Sequence, residues 1–200
     1  MPEEKQQRIL NAALEVFGTS DFKHASTEDI ASKAGISKGL LFYYFQNKRA
    51  LYTFLFDWAA DLVTRSTVSD DAEAITDFFD FFAQAAERKC RMLSHNPYIM
   101  EFFVRAFYSK NEAISEDIAK KIERETQVIF AKYFSHIDLS KFRDDINPKE
   151  IFQALTWMTD GYIHERQNTG QPIDIGEIME KFKLWSNWFR KISYKGEYQS

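Results

Sequence analysis

At 200 residues, 44% hydrophobic and 28% charged, the chain can hold one or two domains with a real core, and its composition excludes a disordered polymer. Seven glycines and four prolines punctuate too sparsely for an all-β fold, so mostly helix is expected. A lone cysteine, Cys90, excludes an intramolecular disulfide and a cysteine-rich metal site. The charged start is no secretory signal, and no apolar run of about 20 residues could span a membrane, so the cytoplasm is expected.

The net charge of −4 speaks against a basic nucleic-acid binder until its distribution is considered. Residues 1–65 hold eight Lys/Arg (5, 8, 23, 33, 38, 48, 49, 65) and eight Asp/Glu (3, 4, 15, 21, 28, 29, 57, 61), so the remainder carries the whole deficit. Any grip on a phosphate backbone must come from local placement of Lys38, Lys48 and Arg49, and its non-specific part should be modest and salt-dependent.

In chain order, a first helix is expected over 4–17, with Ile9, Ala13, Val16 and Phe17 on one face, Leu10 and Leu14 widening it, and Gly18 as its stop. A loop over 19–22 follows. The stretch 26–48 reads as two short helices and a tight turn. Ser26 caps the first, with Asp29 as the third residue of a capping box, and Ile30, Ala31 and Ala34 form its inner side. Gly35 ends it and Ser37 caps the second. Leu41 and Phe45, one turn apart, face inward and leave Lys38, Gly39, Leu40, Tyr43 and Tyr44 to face elsewhere. This is a helix-turn-helix, which lays its second helix in a DNA major groove.

The pattern Ile30-Ala31-x-x-Ala34-Gly35-Ile36-Ser37-x-Gly39-x-Leu41-Phe42-x-Tyr44-Phe45-x-x-Lys48-x-x-Leu51, with Arg8-Ile9-Leu10-x-Ala12-Ala13-x-x-Val16-Phe17 upstream, resembles the DNA-binding domain of TetR-family transcriptional regulators. The resemblance covers about residues 8–55. Two positions depart from it. Asp21 stands where the family usually has glycine, and aspartate tolerates left-handed dihedrals. Phe42 replaces the usual tyrosine and lacks its hydroxyl.

The fourth helix opens on Asn47, a good cap, followed by Lys48 and Arg49, cations that oppose the helix dipole by up to about 1 kcal/mol each. A DNA phosphate at that end would satisfy both cations and the free N–H groups. Leu51, Leu55, Trp58 and Leu62 continue the apolar face. Beyond a loop at 66–71, helices are expected over 71–92, from Asn96-Pro97, over 112–134 (Ile118, Ile122, Ile129, Tyr133), over 148–168 and over 174–193. A polar connection at 135–147 and a frayed tail at 194–200 complete the chain.

Lys38, at the start of the recognition helix, can donate to guanine O6 and N7 or to a phosphate, Gly39 permits close backbone approach, and Leu40 can touch a thymine methyl. Tyr43 and Tyr44 can offer hydroxyls to phosphates, and Thr27 and Ser37 sit at helix starts suited to the same contact. The resemblance implies DNA contacts at Thr27, Lys38, Gly39, Leu40, Phe42, Tyr43, Tyr44 and Lys48.

Gly35-Ile-Ser37-Lys-Gly39 also spells a nucleophile elbow, but that motif needs a preceding strand. His164-Glu165-x-x-Asn168 lacks the second histidine of a zinc site. No catalytic residue, metal site or cofactor is expected. Phe78, Phe82, Met100, Phe103, Phe107, Trp157 and Met158 read either as ordinary core or as the lining of a pocket for an apolar or aromatic molecule; the pocket itself is what the resemblance implies. Ile151, Leu155, Met158 and Tyr162 form one stripe and Ile178, Phe182, Trp185, Phe189 and Ile192 another. Trp157 and Trp188 lie beyond them, so each helix has apolar surface for two partners.

The expectation is an all-α homodimer, paired through about 148–168 and 174–193. Residues 1–47 would be the helix-turn-helix domain and 48–200 the helical ligand-binding and dimerisation domain. It would act as a DNA-binding regulator, by family analogy a repressor released from a pseudo-palindromic operator by a small-molecule effector. The alternative is a helical small-molecule or lipid-binding protein, or an enzyme, with an idle N-terminal motif.

Overall fold

The computed structural model describes residues 1–67, 74–108, 120 and 134–199. Their regular structure is helical, and the one β-type pairing among them is an isolated bridge between Phe142 and Tyr194. No described helix is long and apolar enough to cross a membrane. The expected helix over 112–134 lies outside the described residues, apart from Lys120 and Phe134. The described residues form two compact units, one of 1–64 with 95–108, the other of 65–67, 74–94 and 134–199.

In the first unit, α1 (Glu3–Thr19) buries Ile9, Leu10, Ala13, Leu14, Val16 and Phe17, as the pattern predicts. Gly18, expected as its stop, lies inside it. A β-carbon there would stand 3.3 Å from the Tyr98 carbonyl oxygen and 3.4 Å from Glu101 Cβ, so the glycine serves the close approach of α6 (Pro97–Tyr108). Arg105 Nε donates to the Gly18 carbonyl, placing a cation at the negative end of α1. Asp21 is not left-handed either; among the described non-glycine residues only Gln46 has positive φ. Its carboxylate accepts the His24 backbone N–H at 2.7 Å and meets His24 Nδ1 at 2.8 Å, so a side-chain-closed turn does the work of a glycine.

Helix α4 (Lys48–Thr67) turns Leu51, Tyr52, Leu55, Phe56 and Ala59 inward. Ser66 and Thr67, expected in a loop, are its last residues; 68–71 lie outside the described residues. Tyr52 meets Phe17 edge-on at 4.9 Å and Phe102 at 5.0 Å, and Phe56 meets Phe103 at 5.5 Å. Edge-to-face pairs contribute about 1 kcal/mol each beyond area burial, so α1, α4 and α6 share one aromatic core.

The second unit is organised around one buried carboxylate. Asp77 accepts the backbone N–H groups of Phe79 and Asp80, each at 3.1 Å, and thereby caps α5 (Phe78–His95). The helix therefore starts at Phe78 rather than at the expected 71. The same carboxylate takes Lys141 Nζ at 2.8 Å, Arg190 at 3.0 Å and the Tyr194 hydroxyl at 3.2 Å. Burial pushes the Asp77 carboxyl up, but the Lys141 and backbone hydrogen bonds and the two cations outweigh it, leaving it below the usual range. Burial and the Asp77 charge push the Tyr194 phenol up.

Residues 135–147, expected as a polar connection, contribute Ile137 and Phe142 to the core and a short 3-10 turn, Leu139–Lys141. The tail is likewise anchored: Tyr194 is fully buried and meets Phe142 edge-on at 4.9 Å. Helix α7 (Pro148–Thr169) starts on its Asn147 cap and stops at left-handed Gly170 (φ 67°). Helix α8 (Ile175–Ser193) starts on Asp174, which accepts from Gly176 and Glu177. Phe182, Trp185 and Phe189 turn toward the core, while Ile192, expected on that stripe, is 58% exposed on the outer side with Leu184 and Trp188. Trp157 is 65% exposed on α7.

Candidate nucleic-acid interface

Helix α2 (Thr27–Lys33) begins where the Ser26 hydroxyl accepts the Asp29 N–H at 3.1 Å. It ends in a Schellman arrangement: Ile36 N–H to the Ala31 carbonyl at 3.0 Å and Gly35 N–H to the Ser32 carbonyl at 3.1 Å, with Gly35 at φ 68°. Lys33 ties α2 to α1 through Glu15 at 2.7 Å. Helix α3 (Lys38–Phe45) starts one residue later, its Ser37 cap accepting the Leu40 N–H at 3.2 Å. Leu41 and Phe45 are buried, as expected, and hold α3 with its opposite side outward.

That outward side carries most of the sequence-predicted contact residues. Tyr43 is 78% exposed, and its ring packs edge-on against half-buried Tyr44 at 5.4 Å. Lys38 and Gly39 are exposed at the helix start, with Leu40 and Phe42 half-buried beside them. Two candidates are placed differently. Thr27 is buried and donates its hydroxyl to Glu28 at 3.3 Å. Lys48 Nζ donates to the Lys23 carbonyl at 3.1 Å and lies 5.0 Å from the Phe22 ring centroid, so it pins the 21–23 turn to the start of α4. Asn47 caps α4 by accepting the Ala50 N–H at 2.8 Å.

Two features here have little local signal in the sequence. The amine of Lys38 is hydrogen-bonded to Glu28, ten residues earlier on α2, and this bond holds the Glu28 carboxyl below its usual range. Between α3 and α4, Gln46 sits at φ 60°, ψ −49°, and Asn47 N–H bonds the Phe45 carbonyl at 2.6 Å. This is a γ-turn of the strained hand, and it sets the angle at which α3 leaves α4.

The candidates for a pocket lining fall in both units. Met100, Phe103 and Phe107 lie on α6 in the first unit; Phe78, Phe82, Trp157 and Met158 lie in the second. Phe78 is wholly enclosed in core and Trp157 faces outward.

Residues 9–53 match the family model described as bacterial regulatory proteins, tetR family. The biofilm operon icaADBC HTH-type negative transcriptional regulator IcaR of Staphylococcus aureus (strain Newman) is 23% identical over 162 residues, spanning 76% of this chain and 81% of its own. The HTH-type transcriptional activator FasR of Mycolicibacterium smegmatis is 27% identical over 135 residues, 62% of this chain and 61% of its own. The fatty acid degradation regulator FadR of Bacillus halodurans superposes with a TM-score of 0.72 at 14% identity, covering 90% of this chain and 97% of that one. The capped turn, the outward α3 and the matched segment lead to one conclusion: residues 9–53 form a DNA-binding domain of the tetR type, and the chain is a DNA-binding transcriptional regulator.

Proposed function

We propose that the protein is a cytoplasmic repressor, a homodimer that places two copies of α3 in successive major grooves of a pseudo-palindromic operator and releases it on binding a small-molecule effector. The observation that carries this reading is the placement of α3. Its apolar side is locked by Leu41 and Phe45, and Lys38, Gly39 and Tyr43 are left to meet a duplex. Residues 1–47 read the operator; from Lys48 onward the chain serves dimerisation and effector binding, with α4 transmitting between the two functions. Lys38 and Leu40 read base edges, while Ser37, Tyr43 and Tyr44 position the helix on phosphates. Thr27 and Lys48 act mainly by holding α2 and the α4 start in place.

The dimer forms through the outer faces of α7 and α8, where the apolar side chains of Trp157, Leu184, Trp188 and Ile192 are exposed. Repression follows the negative regulator IcaR, with FasR marking activation as the second possibility within the family. The effector has an apolar or aromatic body, in keeping with the aromatic content of α5 and α6 and with the fatty acid role printed for FadR.

Selection of bound sequences from a random duplex library tests this. The expected product is an inverted repeat whose half-sites lie about one helical turn, or a small multiple of it, apart. Failure to enrich, or enrichment of a single unsymmetrical site, contradicts the reading.

A further inference from the structure

Helix α3 carries a single charged side chain, Lys38, and that charge is already matched. Its amine is hydrogen-bonded to Glu28 of α2, ten residues back and across the turn. The carboxylate is tethered as well. One oxygen takes the amine, and the other accepts the hydroxyl of buried Thr27 at 3.3 Å. The amine also stands 5.8 Å from the centroid of the Phe42 ring. Thr27, Glu28, Lys38 and Phe42 thus form one run of contacts that fixes two flexible side chains. Both keep their outer parts in solvent, Lys38 at 48% and Glu28 at 62% exposure. Exposed ion pairs contribute little to stability, so this one is better explained by what it presents than by what it holds together.

A neutral pair is a poor holder of phosphate and a good reader of bases. Non-specific affinity comes from cations that neutralise phosphates. At the start of α3 the carboxylate cancels the cation and competes with every phosphate for it. A base edge asks instead for donors and acceptors in the right order. The ammonium has three N–H groups and gives one to Glu28; the carboxylate has about four lone-pair directions and uses two. The bonded pair therefore offers donors beside an acceptor. In the major groove a G·C pair offers the converse: guanine N7 and O6 accept, and cytosine N4 next to them donates. Reversing the base pair sets donor against donor and acceptor against acceptor. A T·A pair keeps one acceptor and one donor, but loses the second acceptor and adds a methyl group.

We propose that Glu28 and Lys38 act as one unit that reads a G·C base pair in each half-site, Lys38 donating to guanine O6 and N7 while Glu28 accepts from cytosine N4. Glu28 is thereby a specificity-determining residue outside the recognition helix. This rests on the placement of α3 against an operator in the proposed function and names a base pair that it reads. The acidic residue withholds Lys38 from phosphates everywhere and costs least where the G·C pair lies. It therefore raises the ratio of operator to non-specific binding at the expense of affinity in general.

The test uses the full-length protein as wild type, Glu28→Ala, Lys38→Met and the double variant. Sequence selection is followed by anisotropy on duplexes carrying each of the four base pairs at every half-site position. Wild type should select an inverted repeat with a G·C pair in each half-site where any other pair costs about tenfold. Both single variants should lose that preference at the same position, to within about threefold, and keep the others. The double variant should lose no more than either single one, because the two residues act together. Glu28→Ala should also bind a scrambled duplex more tightly than wild type does, so that its ratio of operator to scrambled affinity falls about tenfold. A G·C preference that survives Glu28→Ala, losses at different positions in the two single variants, additive losses in the double variant, or an unchanged ratio overturns the proposal; a selected inverted repeat then leaves the operator reading standing. If wild type selects no inverted repeat, the operator reading falls with it.

Discussion

Glu28→Gln should strengthen operator binding and make it more sensitive to salt. In the free protein the amine of Lys38 is held by the Glu28 carboxylate at the edge where α3 would approach a duplex. A phosphate must compete with that carboxylate, and Glu28 itself brings a negative charge toward the backbone. Glutamine keeps the length of the side chain and an oxygen for the Thr27 hydroxyl, but gives up the charge. One further phosphate neutralised per recognition helix steepens the slope of log K against log salt by about 0.9. Between 50 and 200 mM salt, the advantage of the variant per half-site should therefore shrink by about 3.5-fold. Fluorescence anisotropy on a selected operator, across that salt range, reads both quantities. Parallel salt plots, or weaker binding by the variant at the low end, would show that the ion pair positions Lys38 for DNA rather than withholding it, and would refute the reasoning.

Gln46→Gly should stabilise the first unit by about 1 kcal/mol, since relief of a strained positive-φ residue, on the order of 2 kcal/mol, exceeds the backbone entropy cost of glycine; urea unfolding measures it. Asp77→Asn leaves Lys141 and Arg190 facing a neutral amide and should cost about 3 kcal/mol, a fall of roughly 6–12 °C in melting midpoint for a chain of this size. Because the folded Asp77 carboxyl is held below its unfolded value of about 4, its contribution is present above that pH and is lost as pH falls through the folded value, so acid melts of wild type and variant should converge there. Trp157→Glu with Trp188→Glu places charges on both outer faces, and sedimentation should find monomers at micromolar concentration with operator binding lost; an intact dimer would move the interface elsewhere.

The helix-turn-helix was legible because its signals are local. Ser26 and Ser37 bond N–H groups three residues on, and Gly35 closes its turn within α2 and the next two residues. Features that depend on distant partners were not legible. Nothing near Asp77 announces that it will be met by Lys141, Arg190 and Tyr194, so the helix start at Phe78 and the buried tail were misread together. Gly18 carries the same letter whether it ends a helix or admits a neighbour, and only the arrival of α6 decides between the two. The Glu28–Lys38 bond joins two helices across a turn, beyond any periodicity rule.

The central claim is that α3 enters the major groove with Lys38 leading and Tyr43 outward. Replacing operator thymines singly with 5-iodouracil puts a photoreactive iodine in the major groove where the methyl group stood. Irradiation of the complex, followed by identification of the attached peptide, should find α3, with attachment within residues 38–44 and at thymines of both half-sites. Attachment confined to other segments, with operator binding intact, would contradict the account.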